Sequence, residues 1–213
     1  MARQVTLAAG LHMVRIRDDV VILDVGADRY SCLVGGGNQL TPVGSGAVSA
    51  DDDVLQELQS AGLIAPDPGA PTRRTPVTPR GELTADEYPG RIACLDTAIR
   101  TLAATAAFRG QSLAQLVDAA EPRGSRPTPF DCRRISARVS AYRTVLPFIP
   151  FEGLCLQRAW QLRRVLASDG QPVDWVFGVK TWPFFAHCWL QIDDLVIGDR
   201  FDRVRSFTPI AVF

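Results

Sequence analysis

Histidine is nearly absent from this chain of 213 residues: only His12 and His187 occur. Chemistry that needs an imidazole therefore has almost no choice of residue. Net charge is absent too, with 23 Lys and Arg against 23 Asp and Glu. Without a basic excess, composition gives no reason to expect nucleic acid as the main partner. No uninterrupted apolar run of about 18 residues occurs, so no membrane span is expected. The opening Met-Ala-Arg-Gln-Val-Thr lacks the apolar stretch of a secretory signal, and a cytoplasmic protein is the simplest expectation. The five cysteines (Cys32, Cys94, Cys132, Cys155 and Cys188) are odd in number and include no Cys-x-x-Cys pair. A disulfide framework or a thiolate metal site is therefore not expected. Four of the five are expected to be small buried hydrophobes.

What is present divides at a proline-rich stretch. Residues 12–34 read as three short strands with turns at Asp18-Asp19 and at residues 25–28. The triplet Gly35-Gly36-Gly37 lacks the Lys-Ser/Thr of a phosphate-binding loop and reads as a flexible connector. Ser49 is placed to cap a helix that begins with Asp51, Asp52 and Asp53, carries Leu55 and Leu58, and stops at Gly62. Five prolines between 66 and 81 make that segment an extended linker. The division is thus 1–65, a linker at 66–82, and 83–213.

The second part begins with helices. Residues 84–87, Thr-Ala-Asp-Glu, resemble a capping box. Ile92, Leu95, Ile99, Leu102 and Ala106 fall on one face of a helix. Leu113, Leu116, Val117 and Ala120 mark a second helix, and a loop spans 121–129. Ile135, Val139, Tyr142 and Leu146 mark a third, with Arg133, Arg134 and Arg138 as its solvated face, open to an anionic ligand. Pro147 and Pro150 end it. A fourth helix runs from Gly153 to about Ser168, with Ala159, Leu162, Val165 and Leu166 inward, and stops at Gly170-Gln171-Pro172. Alternating strands follow at 173–179 and 186–192, and a third at 195–197 comes after an Asp193-Asp194 turn. Helices followed by an antiparallel meander indicate an α+β domain.

Three residues of this part form a constellation. Cys155 lies at a helix start, where the dipole and unpaired N–H groups favour a thiolate and the residue's own N–H can serve an oxyanion. His187 lies on a strand, and Asp199 ends the next one. A thiolate, an imidazole to shuttle its proton and a carboxylate to orient that imidazole make a Cys-His-Asp triad. Taken singly, a cysteine at a helix start or a histidine in an aromatic strand is more often packing; order and context together give the signal. Register sets a condition. A two-residue turn at Asp193-Asp194 puts His187 opposite Arg200 and points Asp199 to the other face. A triad therefore requires an irregular hairpin, by a bulge or a three-residue loop. Otherwise Asp202 or a residue from elsewhere must orient the histidine.

Four motifs carry a resemblance. They are Cys-Leu-Gln-Arg-Ala at 155–159, Gly-Val at 178–179, Ala-His-Cys-Trp-Leu-Gln at 186–191 and Gly-Asp at 198–199. Over residues 84–213 they resemble the transglutaminase-like, papain-like cysteine protease of lasso-peptide biosynthesis, the B protein. The strands and helix ahead of the linker are similar to the small winged-helix-like, PqqD-like domain that binds precursor leaders. The resemblance implies a fused leader peptidase that cuts leader from core and frees the core's amine for a partner cyclase, the C protein. It implies Cys155 as nucleophile, His187 as base and acid, and Asp199 as orienter. It implies leader binding by β-augmentation along Tyr30, Ser31, Cys32, Leu33 and Val34, with Leu55 and Leu58 as the other wall. It also implies ATP dependence, although no nucleotide motif is legible and no bound cofactor is expected. Departures are Cys188 and Gln191, where relatives commonly carry Ala and Glu, and Asp-Asp in place of an Asp-Gly turn. Two other readings fit the same residues: a non-catalytic adaptor that delivers the precursor to the cyclase, and acyl transfer to an amine instead of water.

Overall fold

The computed structural model describes residues 2–44, 46–65, 73–85, 88–120, 130–149 and 155–213. The expected helix start at Gly153, Pro150, the acidic half of the capping box, the 121–129 loop and linker residues 66–72 lie outside these.

The N-terminal strands are β1 (Arg3–Thr6), β2 (Leu11–Ile16), β3 (Asp19–Asp24), β4 (Arg29–Leu33), β5 (Leu40–Val43) and β6 (Ala47–Ala50), followed by helix α1 (Asp52–Ser60). The expected meander is β2-β3-β4, and β1-β6-β5 forms a second antiparallel sheet. This part holds six strands and one α-helix among the described residues. Ser49 belongs to β6, and Asp51 occupies the N-cap position. Gly62 follows the helix at φ 72°, as a C-terminal glycine should. The glycine triplet is packed, not flexible. Gly36 and Gly37 are buried, and a Cβ on Gly37 would stand 2.7 Å from Arg15 Nε.

β3 explains why this part does not stand apart. Its run Val20-Val21-Ile22-Leu23 is apolar at every position, the pattern of a strand covered on both faces. Val20 and Ile22 join Leu7, Leu11, Met13, Leu40, Val48, Leu55 and Leu58 in an N-terminal core. Val21 and Leu23 point the other way, into a core shared with Trp175, Phe177, Leu190 and Ile210 of the C-terminal half. His12 stacks edge-on against Phe213 at 5.3 Å. The linker ties the parts together instead of spacing them. Arg73 donates to the carbonyls of Leu7, Ala8 and Leu11. Arg74 makes a bidentate pair with Asp174 at 2.7 and 2.8 Å. The last linker residues are strand β7 (Gly81–Glu82).

The C-terminal half contains α2 (Arg91–Phe108), α3 (Leu113–Ala120), α4 (Cys132–Val145), α5 (Cys155–Ser168), β8 (Asp174–Lys180), β9 (Phe185–Ile192), β10 (Leu195–Ile197), α6 (Phe201–Val204) and β11 (Thr208–Val212). The sheet order is β11-β8-β9-β10-β7, antiparallel except for the β10–β7 pair. α5 lies on the sheet, burying Ala159, Leu162, Val165 and Leu166 as expected, and α2 and α4 pack on α5. The other face of the sheet is covered by Val204, Phe201 and Phe207. Two expectations are reversed. The Ile92–Leu102 face of α2 is exposed, while Thr97, Thr101 and Thr105 are buried. Each of these threonines donates to the carbonyl four residues back, so its hydroxyl is satisfied within the helix. Arg138 is not a solvated residue: it bridges Asp96 and Asp169 at 2.7 and 2.6 Å.

Candidate active site

Cys155 is the first described residue of α5, and β9 runs alongside that helix. The hairpin from β9 to β10 is regular: Ile192 pairs with Leu195, and Leu190 with Ile197. Asp193 closes its two-residue turn at φ 50°, a left-handed conformation that aspartate tolerates. By register alone, Asp199 would face away from His187. It does not, because β10 ends at Ile197 and Gly198 turns the chain with φ 75°. Asp199 Oδ2 then reaches His187 Nε2 at 2.6 Å. The required irregularity exists, but it lies after the strand and not in the turn. Gly198 is needed twice over. Besides its left-handed φ, a Cβ there would stand 2.4 Å from Leu162 Cδ2.

The early end of β10 also leaves β9 unpaired on that side at Cys188, and the N–H of Cys188 donates to the Cys155 sulfur. The Cys188 thiol donates to the same sulfur. These contacts, with a hydrogen bond to His187, outweigh burial and lower the Cys155 pKa to about 4. Conversely, its bond to Cys155 and its burial hold Cys188 well above the usual thiol value. Burial opposes charge on His187, yet the bonds to Asp199 and Cys155 overcome it and raise that pKa. Burial likewise opposes charge on Asp199, while His187 and the Arg200 N–H lower its pKa. Both shifts favour the charged forms, thiolate at Cys155 and imidazolium at His187. The three side chains line one cleft of about 300 Å³, with Tyr142, Arg143, Arg158, Gly198 and Arg203.

Placement of the expected leader-binding residues is divided. β4 is the outer strand of its sheet, paired only with β3 among the described residues. Ser31, Leu33 and Val34 are exposed, while Tyr30 and Cys32 are half-buried against the shared core. Leu55 and Leu58 are buried in the N-terminal core, and Leu55 also lines an open pocket with Arg3, Val5, Asp52, Gln56, Gln59 and Ile64. The Tyr30 pKa is raised by burial first and then by the sulfurs of Cys188 and Cys155. Cys188 is the residue that sequence reasoning missed: the alternation of β9 sets it with Leu190 and Ile192 toward α5. Of the other cysteines only this one is fully buried, and Cys132 is exposed.

The α+β fold thus brings a cysteine, a histidine and an aspartate to one cleft. The chain belongs to the Transglutaminase-like superfamily, whose profile matches residues 98–212. It is also similar to the Microcin J25-processing protein McjB of Escherichia coli, 33% identical over 61 residues. That stretch covers 29% of this chain and 29% of McjB. No solved structure matches the chain. No helix among the described residues is long and apolar enough to cross a membrane.

Proposed function

We propose that the chain is a leader peptidase acting on a ribosomally made lasso-peptide precursor. The single observation that supports this most is His187 Nε2 at 2.6 Å from Asp199 Oδ2, in one cleft with Cys155. In this reading the Cys155 sulfur attacks the carbonyl of the last leader residue, with the Cys155 N–H serving the oxyanion. His187 gives its proton to the departing core amine, and a leader thioester forms. Water, deprotonated by His187, then attacks the thioester and releases the leader acid. Similarity to a microcin-processing protein supports the substrate class. The open edge of β4 supports leader capture by strand addition in residues 1–65. A partner cyclase would receive the freed core.

ATP dependence is part of the family reading, but the glycine triplet is no phosphate cradle. Gly37 N–H donates to the Asp18 carbonyl and Gly35 N–H to the Asp19 carboxylate.

The test is mass spectrometry of a precursor encoded near this gene, incubated with wild type and with Cys155→Ala, with and without ATP and the cyclase. Cleavage at one bond by wild type alone is expected. Equal cleavage by both proteins overturns the nucleophile. Leader binding without cleavage in every mixture points to the adaptor.

A further inference from the structure

Glu82 is the last residue of the stretch between the halves, and it does not line the cleft. Its side chain is nonetheless bonded to the turn that carries Asp199. Glu82 Oε2 accepts the Phe201 N–H at 2.5 Å, across 119 positions of sequence. Phe201 is the first residue of α6, so its N–H has no carbonyl partner within that helix. Arg200, ahead of it, occupies the cap position with an extended backbone and makes no side-chain cap. A guanidinium has donors only and cannot accept an N–H. Glu82 thus supplies from a distant segment the acceptor that a serine or aspartate would supply locally. α6 is a single turn of four residues, too short to hold its own start in water.

The backbone beside Glu82 holds the other end of the same turn. β7 runs parallel to β10, with Glu82 opposite Val196. Leu83 N–H donates to the Val196 carbonyl at 2.8 Å. Two residues adjacent in sequence therefore grip the chain at Val196 and again at Phe201. Between those points lie Ile197, Gly198, Asp199 and Arg200. Gly198 has a left-handed backbone and no Cβ, so these residues stiffen themselves little. Asp199 stands among them, with Oδ2 on His187 and Oδ1 accepting the Arg200 N–H.

We propose that Glu82 is a positioning residue for the Asp199–His187 pair. It touches no reacting atom and acts by fixing the turn that presents Asp199. Its effect on cleavage rests on the peptidase reading; its effect on His187 rests on geometry alone. The role is that of an acceptor, not of a charge. Glu82 is exposed, and the shift at Asp199 comes from its burial, His187, the Arg200 N–H and Arg203. The stretch between the halves thus supplies a part of the active centre, which a mere spacer would not.

Glu82→Ala and Glu82→Gln in the full-length protein test this. Glutamine keeps an acceptor oxygen at nearly the same reach, and alanine has none. The side chain is exposed, and circular dichroism checks that both variants keep the fold. Ring-nitrogen NMR of His187 is the decisive readout. The chain has one other histidine, His12, whose pKa burial lowers to about 4, so the two titrations separate. The His187 pKa should be lower in Glu82→Ala than in wild type, because the Asp199 bond that raises it is loosened. Precursor cleavage should fall about tenfold, within the roughly 10²-fold that a misplacement of about 1 Å can cost. Glu82→Gln should stay near wild type in both. A merely structural contact would lower the denaturant midpoint and leave the His187 titration alone. An unchanged His187 titration in Glu82→Ala overturns the proposal, and so does a glutamine variant as impaired as the alanine one. A wild type that cleaves nothing, with the His187 shift present in Glu82→Ala, sinks the peptidase reading and leaves the positioning role standing.

Discussion

His187 Nε2 stands 2.6 Å from Asp199 Oδ2, which leaves Nδ1 as the ring nitrogen for Cys155. Asp199 therefore decides both the tautomer and the aim of the ring. Asp199→Asn should lower the cleavage rate by about 10²- to 10⁴-fold, by the logic of an orienting carboxylate in a triad. Leader affinity should stay near wild type. Single-turnover cleavage and binding measured on the same variant separate the two. An unchanged rate would mean that another group orients His187.

The charge pair sets a pH window. Cys155 becomes thiolate as pH rises through about 4. His187 loses its proton only above its ordinary value, because its pKa is raised. Turnover should rise on the acid side near pH 4 and fall on the alkaline side above the usual histidine range. Alkylation of Cys155 by iodoacetamide, followed from pH 3 to 9, should show the same acid limb. An alkylation midpoint near 9 would contradict the thiolate.

Cys188 holds that thiolate with its side chain as well as its N–H. Cys188→Ala should therefore move the alkylation midpoint upward, while Cys188→Ser, which retains a donor, should move it less. A merely structural cysteine would change stability and leave the midpoint where it was.

Gly198→Ala meets two obstacles, a left-handed φ and the side chain of Leu162. The expected loss is about 1–3 kcal/mol of stability, with a larger proportional loss of cleavage because Asp199 is displaced. Denaturant midpoints and cleavage rates on the one variant give both numbers.

The shared core predicts coupling between the two halves. All four tryptophans (Trp160, Trp175, Trp182 and Trp189) lie in the C-terminal half. Leu23→Ala, on β3, should nonetheless shift the tryptophan-detected unfolding midpoint, at a cost of about 2–5 kcal/mol. An unshifted midpoint would show that the halves unfold independently.

Much of this architecture was legible beforehand, wherever a local rule sufficed. Strands β2, β3, β4, β8, β9 and β10 follow from alternation and turn residues, and helices α3, α4 and α5 from their apolar period. The three candidate site residues were legible because histidine is so scarce. Strands β1, β5, β6 and β7 were not, because their short, mixed sequences acquire a strand form only from neighbours. α2 was legible as a helix, but not in its facing. Periodicity locates an apolar side without saying which side the tertiary structure covers.

The sequence by itself determined the identities at Cys155, His187 and Asp199, the glycine before the aspartate, and a strand apolar on both faces at 20–23. Local chemistry suffices there: a thiol, an imidazole, a carboxylate and a residue without Cβ are properties of single positions. Tertiary structure decided whether these meet. It cut β10 short so that Gly198 could turn Asp199 to His187, brought Cys188 against the thiolate, and used β3 to join the halves. Each of these is a relation between segments distant in sequence, set by packing and strand register that no single stretch encodes.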